Sequence, residues 1–266
     1  MAKADNPAKT LHGQSNGLPV HQIAIPGTRA TTILVAFDAG SRTESAEENG
    51  ISHFLEHLVF KGGQIYDDYS KVHQTADRMG GSLNAYTSHD LVAFQITVRA
   101  ELASPAIDLL TDFVARPQLD GDQIDMERGV VIQEIQQYKD DPDSAADILI
   151  DQAGFGDHPL GRPVLGPQKH IESFTRQVII AFRDRRWSGQ RGGAFIVGNL
   201  DHLSNNGSVE EAFDRFPSLP APPSVEAPVS FSPQILVEER DSNQSHLRIL
   251  YQPQINPADL AQRAAF

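Results

Sequence analysis

The stretch His53-Phe54-Leu55-Glu56-His57 places two histidines and a carboxylate within five residues. Apolar residues surround it at helical spacing and a glycine pair follows, so residues 51–60 are predicted to form an amphipathic helix. Positions four apart on a helix point the same way, and the two imidazoles are therefore expected to share one face. Together they could bind one cation at about 2.0–2.1 Å, the distance that zinc takes from imidazole nitrogen.

Glu56 lies beside this pair and is a candidate proton acceptor. A metal ion lowers the pKa of a water molecule towards neutrality, and a neighbouring carboxylate can then take its proton. Two histidines do not complete a catalytic zinc site, which usually has three protein ligands and one open position. The chain contains no cysteine, so the third ligand must be of another type.

A second predicted helix, residues 122–139, offers that ligand. Glu127 and Glu134 are seven residues apart and so share a helix face. Glu134 has apolar neighbours in sequence, and a carboxylate in apolar surroundings needs a partner because an unpaired buried charge is costly. A divalent cation would be such a partner. From the residues alone, an inert surface pair of histidines remains the alternative to a catalytic metal site.

The rest of the chain alternates between strand and helix patterns. Strands are predicted at residues 18–25, 31–38, 82–87, 91–98 and 193–197, and after a linker at 234–239 and 246–251. Further helices are predicted at residues 69–79, 105–115, 143–153 and 175–186, with Ser45 as the cap of the first helix. Residues 217–230 contain five prolines and form the clearest linker. The chain stops within a predicted helix, which suggests a fragment of a longer protein.

The composition excludes several classes of function. Hydrophobic residues make up 39% and charged residues 21%, as in a folded soluble protein. The net charge of -13 argues against nucleic-acid binding. An acidic surface would favour cationic peptides, although an excess of carboxylates more often only keeps a protein in solution. No segment has the length of a membrane span or the pattern of a signal or transit peptide, so a cytoplasmic, bacterial-type protein is expected.

His53-x-x-Glu56-His57 resembles the inverted zinc motif of the pitrilysin-type (M16) metallopeptidases. That family places a third ligand, a glutamate, after a gap of about seventy-six residues, in keeping with the usual three-ligand site. Seventy-six residues separate His57 from Glu134 here. Further stretches match at residues 40–44, 60–62, 83–87, 158–166 and 198–201, and the closest group is the bacterial, processing-peptidase-like members.

The resemblance implies an α+β fold, a mostly antiparallel sheet packed with helices. Residues 1–216 would form the zinc-peptidase domain, 217–230 the linker, and 231–266 the truncated beginning of a second, similar domain. It implies one Zn²⁺ per chain, held by His53, His57 and Glu134. Glu127 would support these ligands. The edge strand with Asn84, Ala85 and Tyr86 would bind the substrate backbone.

The function that follows is a zinc-dependent metalloendopeptidase, with Glu56 as the general base. The family pairs this domain with a second domain or subunit to enclose the peptide. The alternative is a non-catalytic, chamber-forming subunit, although such subunits usually lose the zinc residues. A purely structural zinc site normally has four protein ligands and no adjacent base. The same ligands would also accept manganese or cobalt. A lyase with the same histidine motif depends on a cysteine, which this chain lacks.

Overall fold

A six-stranded sheet forms the centre of the protein, for which a computed structural model describes residues 8–11, 16–203, 206–220, 234–241 and 243–251. The strands lie in the order β1-β2-β6-β3-β5-β4. Neighbouring strands are antiparallel except β2 and β6. Their bounds are β1 Ala8–Leu11, β2 Val20–Ala24, β3 Ala30–Phe37, β4 Ser82–Thr87, β5 Val92–Arg99 and β6 Gly192–Gly198. The expected α+β class with a mostly antiparallel sheet is confirmed.

Eight helices accompany the sheet within the described part of the chain. They are α1 Ile51–Val59, α2 Tyr69–Arg78, α3 Ala103–Ala115, α4 Gly121–Asp140, α5 Pro142–Phe155, α6 Gln168–Ser173, α7 Arg176–Arg186 and α8 Asn206–Phe213. The helices predicted within the described residues all form, with bounds that shift by two residues or fewer. The short elements β1, α6 and α8 were not predicted, because four to eight residues give little periodic signal.

Alternation along β3 explains how the core is built. Ile33, Val35 and Phe37 are buried while the residues between them are half-buried, as expected for a strand with one face on the core. Helix α1 lies within the same core, and its residues Phe54 and Leu55 have no solvent exposure. The histidine motif therefore lies on a helix whose apolar residues are part of the hydrophobic core.

The start of α1 differs from the prediction. Ser45 caps only a preceding turn, where its hydroxyl accepts from the N–H of Glu48. Helix α1 begins after Gly50, whose φ of 100° lies in the left-handed region. The buried carboxylate of Glu44 accepts hydrogen bonds from the N–H groups of Gly50 and Ser52, and so satisfies donors at this helix end.

The predicted strands at 234–239 and 246–251 are wrong. The described segments 234–241 and 243–251 have no regular secondary structure, and no described strand pairs with them. Ile235 and Val237 are 90% and 79% exposed, so the apolar residues that suggested strands have no sheet to cover here. Residues 221–230 of the predicted linker and the predicted helix at 256–266 lie outside the described residues. The division into 1–216, 217–230 and 231–266 stays a prediction. Among the described helices, none has the length and apolar character needed to cross a membrane.

Candidate metal centre

Three side chains from distant parts of the chain converge between α1 and α4. His53 Nε2 lies 3.6 Å from Glu134 Oε1, and His57 Nε2 lies 3.3 Å from Glu134 Oε2. One ligand atom from each of the three residues can be chosen so that all lie within 4.8 Å of one another. The sequence placed these residues on two helix faces, and the structure brings the faces together.

The two helices face each other through a regular series of contacts. His53 lies opposite Glu134, and His57 lies opposite both Glu134 and Glu127. From His53 to His57 the contacts move forward along α1, while from Glu134 to Glu127 they move backward along α4. The two helices therefore run antiparallel here. Val131, between the two glutamates in sequence, is fully buried and belongs to the hydrophobic core.

The surroundings of Glu134 are more open than its sequence neighbours suggested. Its side chain is 28% exposed. Val130 lies on the outer face and is 49% exposed, whereas Val131 and Ile135 are buried. One side of the carboxylate therefore faces the core and the other remains accessible, as a ligand in a site with an open position must be.

Glu127 contacts His57 at Nδ1, the ring nitrogen that does not face Glu134. Its Oε1 lies 2.9 Å from His57 Nδ1, and its Oε2 forms an ion pair with Lys61. The Glu127 side chain is 7% exposed. Burial acts to raise the pKa of Glu127, but the hydrogen bonds from His57 and Lys61 outweigh it and hold that pKa below its usual value.

The two histidines differ sharply in their affinity for a proton. Burial, together with the neighbouring His57, lowers the pKa of His53 to about 4. Burial also acts to lower the pKa of His57, but the hydrogen bonds to Glu127 and Glu134 outweigh it and raise that pKa to about 9. The glutamates thus favour one positive charge at His57, which either a proton or a bound cation can supply.

The spacing of the ligand atoms fits a tetrahedral metal. Two ligands about 2.0–2.1 Å from a tetrahedral zinc ion are about 3.3–3.4 Å apart. The two contacts of Glu134 with the imidazoles, 3.3 and 3.6 Å, are close to this separation, although each involves a different carboxylate oxygen. His53 is 8% exposed, and its Nδ1 has no hydrogen-bond partner among the described residues. Three donors of the types that zinc accepts therefore lie within 4.8 Å of one another.

Glu56 lies on α1 with the two histidines, and the charges of His57 and Glu134 affect its pKa. Burial raises its pKa, and the charge of Glu134 raises it further, against the lowering effects of Thr87 and His57. The Thr87 hydroxyl donates to Glu56 Oε2 at 2.5 Å. A carboxylate whose pKa lies above its ordinary value is a better proton acceptor in the neutral pH range.

The strand that carries Thr87 lies at the edge of the sheet. β4 pairs with β5 on one side, and no described strand pairs with it on the other. Asn84 and Tyr86 point to the exposed face, while Ala85 points inward with Thr87. The Asn84 side chain accepts from the N–H of Ala85 at 2.9 Å, so a peptide that added to this edge would compete with that contact.

Two contacts of this centre were missed by the interpretation of the sequence. Lys61 continues the series His53 and His57 at the same spacing of four, which is a usable signal for a shared helix face. Thr87 shares one face of β4 with Leu83 and Ala85, but nothing in that pattern indicates that Thr87 contacts Glu56. The first contact could have been predicted from spacing, and the second required the packing of α1 on the sheet.

Comparison with known proteins gives a consistent picture. A family model described as insulinase, peptidase family M16, matches residues 20–168. An uncharacterized zinc protease of Mycobacterium tuberculosis is 33% identical over 237 residues, which is 88% of this chain and 54% of the relative. The mitochondrial-processing peptidase subunit beta of Saccharomyces cerevisiae is 32% identical over 213 residues, 80% of this chain and 46% of that subunit.

Solved structures share the fold. The structure of a peptidase M16 inactive domain from Pseudomonas fluorescens has a TM-score of 0.75 and 17% identity, with 84% of this chain and 54% of that chain covered. At this identity the likeness concerns the fold alone. The chain spans about half the length of the curated relatives it matches.

Proposed function

This chain belongs to the insulinase peptidase family M16, and on that premise we propose that it is a zinc-dependent metalloendopeptidase. The observation that carries the proposal is the convergence of His53, His57 and Glu134. Glu56 directly precedes His57 on α1. This arrangement supplies three ligands, an accessible side and a candidate base, which is the composition of a catalytic zinc site.

His53, His57 and Glu134 would hold the zinc ion. Zinc there would supply a Lewis acid that polarises the scissile carbonyl and acidifies a water molecule. Glu127 orients the ring of His57 by accepting from Nδ1, which leaves Nε2 directed at the metal position. The apolar core residues of α1 exclude water from the inner side of the centre.

Glu56 would take a proton from the attacking water and deliver it to the leaving amine. Its raised pKa suits a group that must hold the proton briefly before passing it on. The Thr87 hydroxyl donates to one carboxylate oxygen of Glu56, and the other oxygen would accept the proton. Proton transfer of this kind contributes about 10²–10⁴-fold to a rate.

The substrate would be an extended peptide that adds as a further strand along β4. Main-chain hydrogen bonds would supply most of the contact, with Asn84, Ala85 and Tyr86 beside the scissile bond. Recognition through the backbone tolerates many side chains, so peptides or unfolded segments of varied sequence are the proposed substrate class. A second M16 domain or subunit would close over the peptide.

The test combines metal analysis with peptide cleavage. The purified protein should contain about one zinc per chain, and a chelator should abolish cleavage of a fluorogenic peptide until zinc is restored. The Glu56→Gln variant should keep its zinc and lose at least about 100-fold in turnover. The Glu134→Gln variant should lose most of its zinc, whereas Glu172→Gln, at an exposed glutamate on α6, should match the unaltered protein.

Two results would contradict the proposal. One is a protein that contains no zinc and cannot be loaded with it. The other is peptide cleavage that Glu56→Gln leaves unchanged. Zinc binding without cleavage, in the presence of the partner half, would instead favour the alternative of a chamber-forming subunit.

A further inference from the structure

Lys61 extends the functional face of α1 by one more turn. Its N–H donates to the carbonyl of Leu58 at 3.1 Å, so the chain still follows the helical path beyond Val59. The turn ends at Gly62, where φ is 131° and a Cβ would lie 2.5 Å from the backbone of Asp67. The backbone that carries Lys61 is thus fixed by the close approach of another segment.

The ammonium group of Lys61 is enclosed by its partners. It forms an ion pair with Glu127 Oε2, and it lies 4.9 Å from the centre of the Tyr69 ring, where a cation–π contact adds to the attraction. The side chain of Lys61 is 17% exposed and that of Glu127 is 7% exposed. A lysine is seldom enclosed to this extent unless a paired charge compensates for the lost water.

Glu127 divides its two oxygens between two partners. Oε1 faces His57 Nδ1 at 2.9 Å, and Oε2 faces Lys61. A carboxylate that is anchored at one oxygen cannot rotate without breaking that contact, so the direction of the other oxygen is set. The direction of Oε1 in turn sets the plane of the His57 ring.

The charges of the centre give Lys61 a second role. Glu127 and Glu134 contact the two histidines, and Glu56 directly precedes His57 on α1. Three carboxylates exceed the charge of one divalent ion by one unit. Lys61 offsets this excess at the buried Glu127, with which it forms an ion pair.

We propose that Lys61 is a positioning residue for the metal centre: it anchors Glu127, which orients His57 towards the ion. The inference rests on the proposed function, because it concerns the same centre. It assigns a role to a residue for which the resemblance to the family gave only a matching stretch, Phe60-Lys61-Gly62. Lys61 is expected to act on metal affinity and on turnover entirely through Glu127.

The experiment measures zinc affinity by competition with a chromophoric chelator. Lys61→Met removes the charge and keeps the length of the side chain, and it should weaken zinc binding about 10–100-fold, the usual effect of losing a partner of a metal ligand. Lys61→Arg should recover most of that loss. Lys71→Met is the matched control, because Lys71 is an exposed lysine on α2 that pairs with Asp67 outside the centre, and it should bind zinc as tightly as the unaltered protein.

A double-mutant cycle separates positioning from a structural role. Once Glu127→Gln is in place, adding Lys61→Met should change zinc affinity by less than about twofold, because neighbouring residues that act as a unit are not additive. If Lys61→Met lowers stability but leaves zinc affinity unchanged, or if its effect on zinc affinity persists in full without Glu127, the proposal is overturned.

The outcomes also distinguish this inference from the proposed function. Zinc binding by the unaltered protein tests the metal centre itself, and its absence would overturn both. If the unaltered protein binds zinc and the Lys61→Met variant binds it equally well, the centre stands and the role of Lys61 fails. Peptide cleavage is not needed for either conclusion.

Discussion

At the scale of single residues, the centre depends on how each polar group is held by a neighbour. His57 is held by Glu127, Glu127 by Lys61, and Glu56 by Thr87. Each of these supporting contacts joins segments far apart in sequence. A small change in a supporting residue should therefore alter chemistry without removing a ligand.

Thr87→Val is the sharpest change of this kind. Valine keeps the shape of the side chain and removes the hydroxyl that donates to Glu56 at 2.5 Å. The loss of one hydrogen bond to a charged group corresponds to about 1.5 kcal/mol, so kcat should fall about 10-fold while zinc content and KM stay close to normal. Steady-state kinetics on a fluorogenic peptide would measure the change.

Thr87→Ser is the control for this prediction. Serine retains the hydroxyl and loses only a methyl group, and it should keep most of the turnover. A valine variant with an unaltered kcat would mean that Thr87 does not position the base.

At the scale of elements, Glu44 anchors the start of α1 in the core. It accepts hydrogen bonds from Asn49 Nδ2 and from the N–H groups of Gly50 and Ser52, at 2.8–3.0 Å. Burial nevertheless raises the pKa of Glu44 to about 7, against the lowering effect of these donors. The helix that carries both histidines therefore begins on a titratable group.

The pH dependence of stability follows from this raised pKa. A carboxyl group with a higher pKa in the folded state binds more protons when folded, so its contribution is full below about pH 4.5 and is lost as the pH rises through about 7. The expected change is on the order of 3 kcal/mol, from about 1.36 kcal/mol per pKa unit. Urea unfolding at pH 5 and pH 8 would measure it.

Glu44→Gln removes this titration and provides the comparison. The free energy of unfolding of the unaltered protein, relative to the glutamine variant, should be larger at pH 5 than at pH 8. Glu211→Gln, at an exposed glutamate on α8, should show no such trend. A difference for Glu44→Gln that grows as the pH rises would contradict the prediction.

Gly50 provides a second test of the same helix end. Its φ of 100° disfavours any other residue, and a Cβ there would lie 2.6 Å from the carbonyl oxygen of Leu165. Gly50→Ala should lower the free energy of unfolding by at least about 2 kcal/mol, since strain and a backbone clash combine. Denaturant unfolding monitored by circular dichroism would measure the loss.

Gly129→Ala is the matched control within α4. No atom lies within 4 Å of a Cβ at this position, and the residue is in the interior of an exposed helix face. Alanine is favoured over glycine there, so stability should rise by about 0.5–1 kcal/mol. Equal effects at the two glycines would show that local geometry does not decide the start of α1.

The same elements show what the sequence could and could not predict. Helical periodicity predicted α1 and α4, because this signal is local. Spacing placed His53 and His57 on one face of α1, and Glu127 and Glu134 on one face of α4, but it could not show that the two faces meet. The sequence predicted Ser45 as the cap of α1, but its hydroxyl accepts only from an N–H of the preceding turn. The buried carboxylate of Glu44 accepts from the N–H groups at the start of α1 instead. That role depends on contacts across the fold, which a local pattern does not encode. The assignment of the ligands and the base remains a prediction.

At the scale of the whole molecule, charge and topology bear on the choice of peptide. The chain has a net charge of -13, and β4 offers an open edge beside the metal centre. A basic peptide should therefore be attracted more strongly than an acidic one of matched length and cleavage site. The preference should appear in kcat/KM and should decrease between low salt and about 0.5 M salt, because exposed charges are screened. Equal rates for the two peptides at low salt would remove this idea.

The chain also spans about half the length of its curated relatives, 54% of the one from Mycobacterium tuberculosis. The three candidate ligands, however, all lie on two helices of the described chain. Zinc binding is therefore expected of this chain, whereas efficient cleavage is expected only when a second domain or subunit encloses the peptide. Metal binding and catalysis can accordingly be measured as separate properties.

The most direct measurement is anomalous diffraction at the zinc absorption edge from crystals of the zinc-loaded protein. We predict one strong peak per chain, about 2.0–2.2 Å from Nε2 of His53, Nε2 of His57 and a carboxylate oxygen of Glu134. A peak elsewhere, or a zinc ion at this position that Glu134 does not approach, would contradict the account.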